Sequence, residues 1–334
     1  MLRDRLGWRI VPAMPDADAP ARRTDPPLRE LEVFVLTGPT ASGKSELGVV
    51  LAERLGAEIL SLDSMKVYRR MDIGTDKPSP ADRARVPHHL IDLREPWEGY
   101  TVHEYVRDAV AIAREVASRG RRVLFEGGTP LYLKALLEGL FEGGEPDYEL
   151  RRRLVAEARE CGTAQLHARL ASVDERAASR IHPNDLRRIV RALEVYERTG
   201  QPISALQTQF GRRREWLEAH LVAIARPREE LVARIRARVD RMLRAGWLEE
   251  ARALLSLGRE LSPQATGALG YRELWAHLRG ELDLDSARER IVSETRRFVR
   301  RQLTWLRSFG DLIWVEPSGD LRRDAGRVEA AWGL

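Results

Sequence analysis

"LEVFVLTGPTASGKS", Leu31 to Ser45, joins an apolar run to a glycine-punctuated loop, and a helical pattern follows it through Leu55. The loop has the spacing G-x4-G-K-S. Its residues are Gly38, Pro39, Thr40, Ala41, Ser42, Gly43, Lys44 and Ser45. Glycines permit turns that point successive N–H groups inward at the positive end of the next helix, where a di- or triphosphate is stabilised. Lys44 adds a mobile charge, and the Ser45 hydroxyl suits magnesium. A strand, this loop and a helix predict a phosphate-binding parallel α/β sheet.

The same alternation continues through "AEILSL" (57–62), "HHLIDL" (88–93), a helix around Val102–Ser118 and "RVLFEGG" (122–128). Strands alternating with helices argue a parallel sheet covered on both faces. From Pro146 to about Phe210 helical periodicity replaces the strands, which predicts a helical insertion. "HLVAIA" (220–225) returns the chain to the sheet. Helices are then expected over Arg228–Ala245, Leu248–Leu257 and Asp285–Phe309, and "DLIWVE" (311–316) offers a last strand. The fold class is therefore α/β: a P-loop NTPase-like parallel sheet core flanked by helices, with a helical insertion domain. The expected parts are 1–30 (a tail too polar to bury a core), 31–145, 146–210 and 211–334.

Composition sets the outer limits. The chain of 334 residues has 43% hydrophobic content, enough for one large core and a smaller one. No apolar run reaches the roughly 18–20 residues of a membrane span, and the N-terminal stretch lacks a signal-peptide core, so a cytoplasmic protein with no membrane partner is expected. Cys161 is the single cysteine, which removes internal disulfides and multi-cysteine metal sites. A net charge of +5 permits a nucleic-acid partner. Only four of the 56 basic residues are lysines, so the placement of the arginines means more than their number.

Asp63, in "SLDSMKVYRRMDIGT", follows a strand on the same edge as the phosphate loop, where open α/β sheets place ligands. A carboxylate there can serve as a general base, bind magnesium or cap a turn. "VLFEGGTPLYLKAL" ends a strand in Glu126, where triphosphate-cleaving enzymes commonly hold magnesium with an aspartate. Gly127 and Gly128 let the backbone approach a ligand, and Thr129 can donate or accept a hydrogen bond there. Arg296, Arg297, Arg300 and Arg301, beside Phe298 and Trp305, build a basic helical face that suits a nucleic-acid backbone or simply solvent. The seven histidines form no metal-ligand grouping.

Seven stretches together resemble the bacterial-type tRNA dimethylallyltransferases, also called tRNA isopentenyltransferases: "GPTASGKS", "DSMKVYRRMDIGTDKPS", "PHHLIDL", "GGTPLYLKALLEG", "IHPNDLRRIVRALEVY", "LGYRELW" and "TRRFVRRQLTWLR". The resemblance runs from Val33 to Glu316. It implies transfer of a dimethylallyl group from dimethylallyl diphosphate to N6 of adenosine 37 in the anticodon stem-loop of tRNAs that read codons beginning with U, with pyrophosphate released. It implies that Gly38–Ser45 grips the donor's diphosphate with Mg2+ near Ser45, that Asp63 is the general base, and that Thr129 hydrogen-bonds in that region. Arg238 matches a family arginine that reaches the pyrophosphate. Implied tRNA contacts are Asp63, Ser64, Met65, Lys66, Thr129, Arg151, Arg187, Arg188, Ile189, Val190, Arg191, Gly267, Ala268, Leu269, Gly270, Tyr271, Arg272, Thr295, Arg296, Arg297, Phe298, Val299, Arg300, Arg301 and Gln302.

A monomer is expected. Three departures stand out: Ser45 replaces the commoner threonine, Lys66 stands where the family often has glutamine, and Leu186 where it often has proline. A P-loop small-molecule or nucleotide kinase would share the core. A non-catalytic RNA-binding ATPase would use the basic helices but leaves "DSMK" and "GGT" unexplained.

Overall fold

Strand β1 (Leu31–Thr37) is buried at six of its seven positions, a near-continuous apolar run that belongs to a sheet covered on both faces. The computed structural model describes residues 30–141, 146–208 and 211–334. After β1 come α1 (Lys44–Leu55), β2 (Ala57–Ser61), α2 (Pro80–Arg85), β3 (His88–His89), α3 (Val102–Ser118), β4 (Arg122–Glu126) and α4 (Pro130–Glu138). Five helices follow: α5 (Tyr148–Cys161), α6 (Thr163–Val173), α7 (Glu175–Ala178), α8 (Leu186–Thr199) and α9 (Ile203–Leu206). The chain then forms β5 (Leu217–Ile224), α10 (Arg228–Arg244), α11 (Trp247–Leu255), α12 (Pro263–Thr266), α13 (Tyr271–Leu278), α14 (Leu284–Leu306), β6 (Ile313–Val315) and α15 (Leu321–Trp332).

The six strands are parallel in the order β3-β2-β4-β1-β5-β6. β1 is central, with β4 on one side and β5 on the other, so the loop after it opens at the switch point where such sheets bind ligands. Phe34, Leu36, Leu124, Val222 and Ile224 pack with Leu47 and Leu51 of α1 and Val328 and Trp332 of α15. Helix α3 packs against β1, β2 and β4.

Two compact units emerge. The larger holds the sheet, within 1–137 and 215–334; the smaller is Glu138–Arg214, against the expected 146–210. The smaller unit has its own core of Leu154, Leu166, Leu170, Ile189, Leu193 and Val195. Helix α8 starts on Asp185, whose carboxylate accepts from the Arg188 N–H, and stops at Gly200 in the left-handed region. The expected tail, apart from Glu30, and the end of the insertion at Phe210 lie outside the described residues.

One expectation changes, and helices beyond those expected complete the fold. "HHLIDL" is extended only at His88–His89, because Leu90 and Asp92 take positive φ and the chain turns away to bond Lys66 and Val67. Helix α13 was read as a motif without a structure. Helix α15 was not foreseen, although its apolar side chains complete the core under β1 and β5.

Candidate active site

Helix α1 begins at Lys44 on Gly43, which takes φ +91° and supplies no side-chain cap. The first N–H groups of the helix are thus left for an anion. Ala41 is also left-handed at φ +65°, a conformation that disfavours a residue with a Cβ. Neighbours hold the loop in this shape. Gln302 of α14, buried, accepts from the Thr40 N–H at 2.9 Å through Oε1 and donates to the Gly128 carbonyl at 2.5 Å through Nε2. One side chain therefore ties the phosphate loop to the "GGT" turn.

That turn admits no side chain. A Cβ on Gly127 would lie 2.3 Å from the Leu62 carbonyl oxygen, and one on Gly128 would lie 2.6 Å from Gln302 Nε2. Thr129 closes the other side: its N–H donates to the Leu62 carbonyl at 3.1 Å and its Oγ1 accepts from the Ser64 N–H at 3.1 Å. Asp63 therefore sits between β2 and the turn. Its Oδ1 accepts from the Met65 N–H at 2.8 Å, which caps the loop. No hydrogen bond to its Oδ2 is formed among the described residues.

Glu126, at the end of β4, is buried and links two groups. Ser45 Oγ donates to its Oε1 at 3.1 Å, and Lys66 Nζ stands 3.4 Å from its Oε2. Burial alone would raise its carboxyl, but the charges of Lys66 and Lys44 hold it below the ordinary range. Burial works against Lys66 too, yet Glu126, Asp63 and Asp76 raise its ammonium. For Lys44 burial prevails: it lowers the ammonium, and Lys66 and Arg238 add to that against the pull of Glu126. The loop side is thus an interlocked set of cations and carboxylates.

Ser45 and Glu126 are hard oxygen donors beside the cradle, a set that fits Mg2+ sharing its remaining positions with phosphate and water. Among the described residues no cluster of three His, Cys, Asp or Glu forms an all-protein metal cage.

Arg238 of α10 reaches the loop, donating from Nη1 to Thr40 Oγ1 at 2.7 Å and lying 3.5 Å from Asp76 Oδ2. Sequence reading missed its neighbours Arg226 and Arg234, which donate to the Ser42 and Ala41 carbonyls at 2.6 and 2.8 Å. Arginines crowd "RPREELVARIRARVDR", and nothing in their pattern marks those two.

Several of the residues implied as tRNA contacts are buried in this structure. Ile189, Val190, Ala268, Tyr271 and Val299 are among the buried apolar side chains, Gln302 is buried against the phosphate loop and the "GGT" turn, and Lys66 is buried against Glu126. Tyr271 donates to Glu250 Oε1 at 2.6 Å, and the same carboxylate accepts from the N–H groups of Asp72, Ile73 and Gly74. "LGYRELW" therefore braces "MDIGT". Gly270 packs where a Cβ would meet Trp247 at 2.2 Å. Arg151 forms a two-pronged pair with buried Glu194, both bonds at 2.9 Å, and Arg191 donates to Glu194 at 2.6 Å, so both are committed inside the smaller unit. Ser64, Met65 and Leu269 are half-buried, and Thr295 bonds its own helix at Ile291. Arg187, Arg188, Gly267, Arg272, Arg297, Arg300 and Arg301 are exposed, Arg296 and Phe298 partly so, and Trp305 remains 43% exposed.

The family model described as IPP transferase matches residues 66–309. The chain belongs to the IPP transferase family. Among IPP transferase relatives, it is 48% identical to a tRNA dimethylallyltransferase of Anaeromyxobacter dehalogenans, over 90% of this chain and 99% of that one. It is 47% identical to the tRNA dimethylallyltransferase of Geobacter metallireducens, over 86% and 93%. The solved structure of a full-length tRNA isopentenylpyrophosphate transferase from Bacillus halodurans superposes with TM-score 0.65 at 34% identity, over 91% of this chain and 97% of that one. A eukaryotic dimethylallyltransferase acting on tRNA superposes at TM-score 0.74 and 26% identity, over 86% and 74%.

Proposed function

We propose that the protein transfers a dimethylallyl group from dimethylallyl diphosphate to N6 of adenosine 37 in tRNAs reading codons that begin with U. The observation that carries this is the junction of the phosphate loop with Asp63 and Thr129 at one sheet edge, in a chain of this family. A kinase reading accounts for the loop but not for the contact between Thr129 and the Asp63–Ser64 loop.

The backbone N–H groups after Gly43 and the Lys44 ammonium bind the diphosphate. Arg238 adds charge at Thr40 as the allylic C1–O bond breaks. Mg2+, when bound at Ser45 and Glu126, neutralises phosphate charge. The adenine leaves its stack and enters beside Asp63, with its amine near the free carboxylate oxygen. The N6–C1 bond forms, the proton passes to Asp63, and pyrophosphate carries away the electron pair of the broken bond. Thr129 holds the Asp63 loop in place. The exposed arginines of α14 with Phe298 and Trp305 take the anticodon stem-loop by phosphate contact and stacking, and exposed Arg187 and Arg188 of the smaller unit are further candidates for phosphate contact. The large apolar side chains exposed among the described residues fall on α4, α5, α11, α14 and α15 and at Leu334 rather than on one element, which supports a monomer.

The test is incubation with Mg2+, unmodified tRNA carrying A36-A37-A38 and radiolabelled dimethylallyl diphosphate, with labelled ATP in a parallel arm. Label from the prenyl donor is expected in tRNA at position 37. Phosphate transfer from ATP with no prenylation would sink the reading.

A further inference from the structure

Three arginines grip three successive residues of the phosphate loop: Arg238 at the Thr40 hydroxyl, Arg234 at the Ala41 carbonyl and Arg226 at the Ser42 carbonyl. They differ in what remains of each guanidinium. Arg226 Nη1 is paired with Glu230, and Arg238 lies beside Asp76. Arg234 spends only Nε, and among the described residues no carboxylate or other acceptor meets its Nη1 or Nη2. A Cβ placed on Gly43 would lie 3.1 Å from Arg234 Nη2, so the uncommitted end of the guanidinium covers the residue that opens α1. Gly43 is also where the unsatisfied N–H groups of the cradle begin.

We propose that Arg234 is a direct ligand of the donor's diphosphate. Its Nη groups take an oxygen of the phosphate that the backbone cradle does not enclose, while Nε fixes the left-handed Ala41. The inference rests on reading the loop as a diphosphate site. The physical case is that a guanidinium already oriented through Nε loses little further freedom when its fork meets a phosphate, and that such charge-assisted bonds are the strong ones.

The experiment is calorimetric titration of the intact chain with inorganic pyrophosphate and, separately, orthophosphate, in EDTA and in Mg2+. Wild type, Arg234→Gln and Arg234→Lys are compared. Loss of one charge-assisted contact should weaken pyrophosphate binding by Arg234→Gln about tenfold to a hundredfold, with orthophosphate changed less than about threefold. Arg234→Lys should fall between Gln and wild type. Binding of tRNA at the wild-type level by both variants reports an intact fold. If both anions weaken alike, Arg234 only props the loop and the proposal fails. It fails equally if pyrophosphate binding is unchanged, or if lysine recovers nothing. Failure of the wild-type chain to bind pyrophosphate would instead remove the diphosphate reading of the loop.

Discussion

The two oxygens of Asp63 stand differently. Oδ1 caps the loop at Met65, and Oδ2 takes no hydrogen bond among the described residues, which suits the base role proposed for it. Replacing Asp63 by Asn keeps an acceptor for the Met65 N–H and removes the base. Asp63→Asn should therefore bind tRNA as wild type does and slow transfer by about 10²- to 10⁴-fold, read in single-turnover prenylation beside filter binding. Equal transfer rates would take Asp63 out of the base role. Lys66 is a residue whose burial its sequence position does not show. Within "DSMK" it reads as one more basic contact for RNA, but it is buried and paired with Glu126. Lys66→Met would leave that buried carboxylate short of its nearest ammonium. A loss of about 3 kcal/mol in urea-unfolding stability is expected, with little change in the salt dependence of tRNA binding. No one-dimensional signal separates an inward lysine from an outward one, because the partner that decides it lies on another strand.

At the scale of elements, most strands of the sheet and the helices α1, α3, α10, α11 and α14 are legible, because periodicity and glycine punctuation are local. β1, β4, α1 and α3 fall where their patterns put them. What was not legible is which face of a charged helix turns inward. On α14 the exposed Arg297, Arg300 and Arg301 flank Gln302, and nothing in "RRFVRRQ" announces that the amide is buried 262 residues away in sequence from its Thr40 partner. Helix α8 shows the same limit: Arg191 looks like a partner for RNA until Glu194 is seen at zero exposure between it and Arg151. Burial would raise the Glu194 carboxyl, but hydrogen bonds from Arg151, Arg191 and the Asp147 N–H bring it below the ordinary carboxylate value. A depressed folded value contributes stability that is complete above about pH 4.5 and is lost as pH falls through that folded value. Glu194→Gln should remove this acid-sensitive part of stability, so that variant and wild type converge as pH drops. Thermal melts followed by circular dichroism from pH 7 to pH 3 would check this, and parallel curves at all pH values would refute it.

For the molecule as a whole, charge placement separates the two kinds of arginine that composition lumps together. Some are spent on the protein itself, at Glu194, at Asp240 and along the phosphate loop. Others stand exposed on α14 and α8. Only the second kind should release counterions when RNA binds, so the dependence of tRNA affinity on salt should be steep. Replacing Arg300 and Arg301 by Gln should reduce its slope by about one per arginine. A slope unchanged in that variant would remove α14 from the RNA surface. The long-range bond between Thr40 and Gln302 has a last consequence, for the order in which the chain is made. A ribosome completes the phosphate loop by Ser45, yet Arg226, Arg234, Arg238 and Gln302 emerge only after the whole of Glu138–Arg214 has been synthesised. During translation the smaller unit, which has a core of its own residues, can consolidate while the first half of the sheet still waits for β5. A nascent chain therefore completes the bracing of this loop only once Gln302 has emerged.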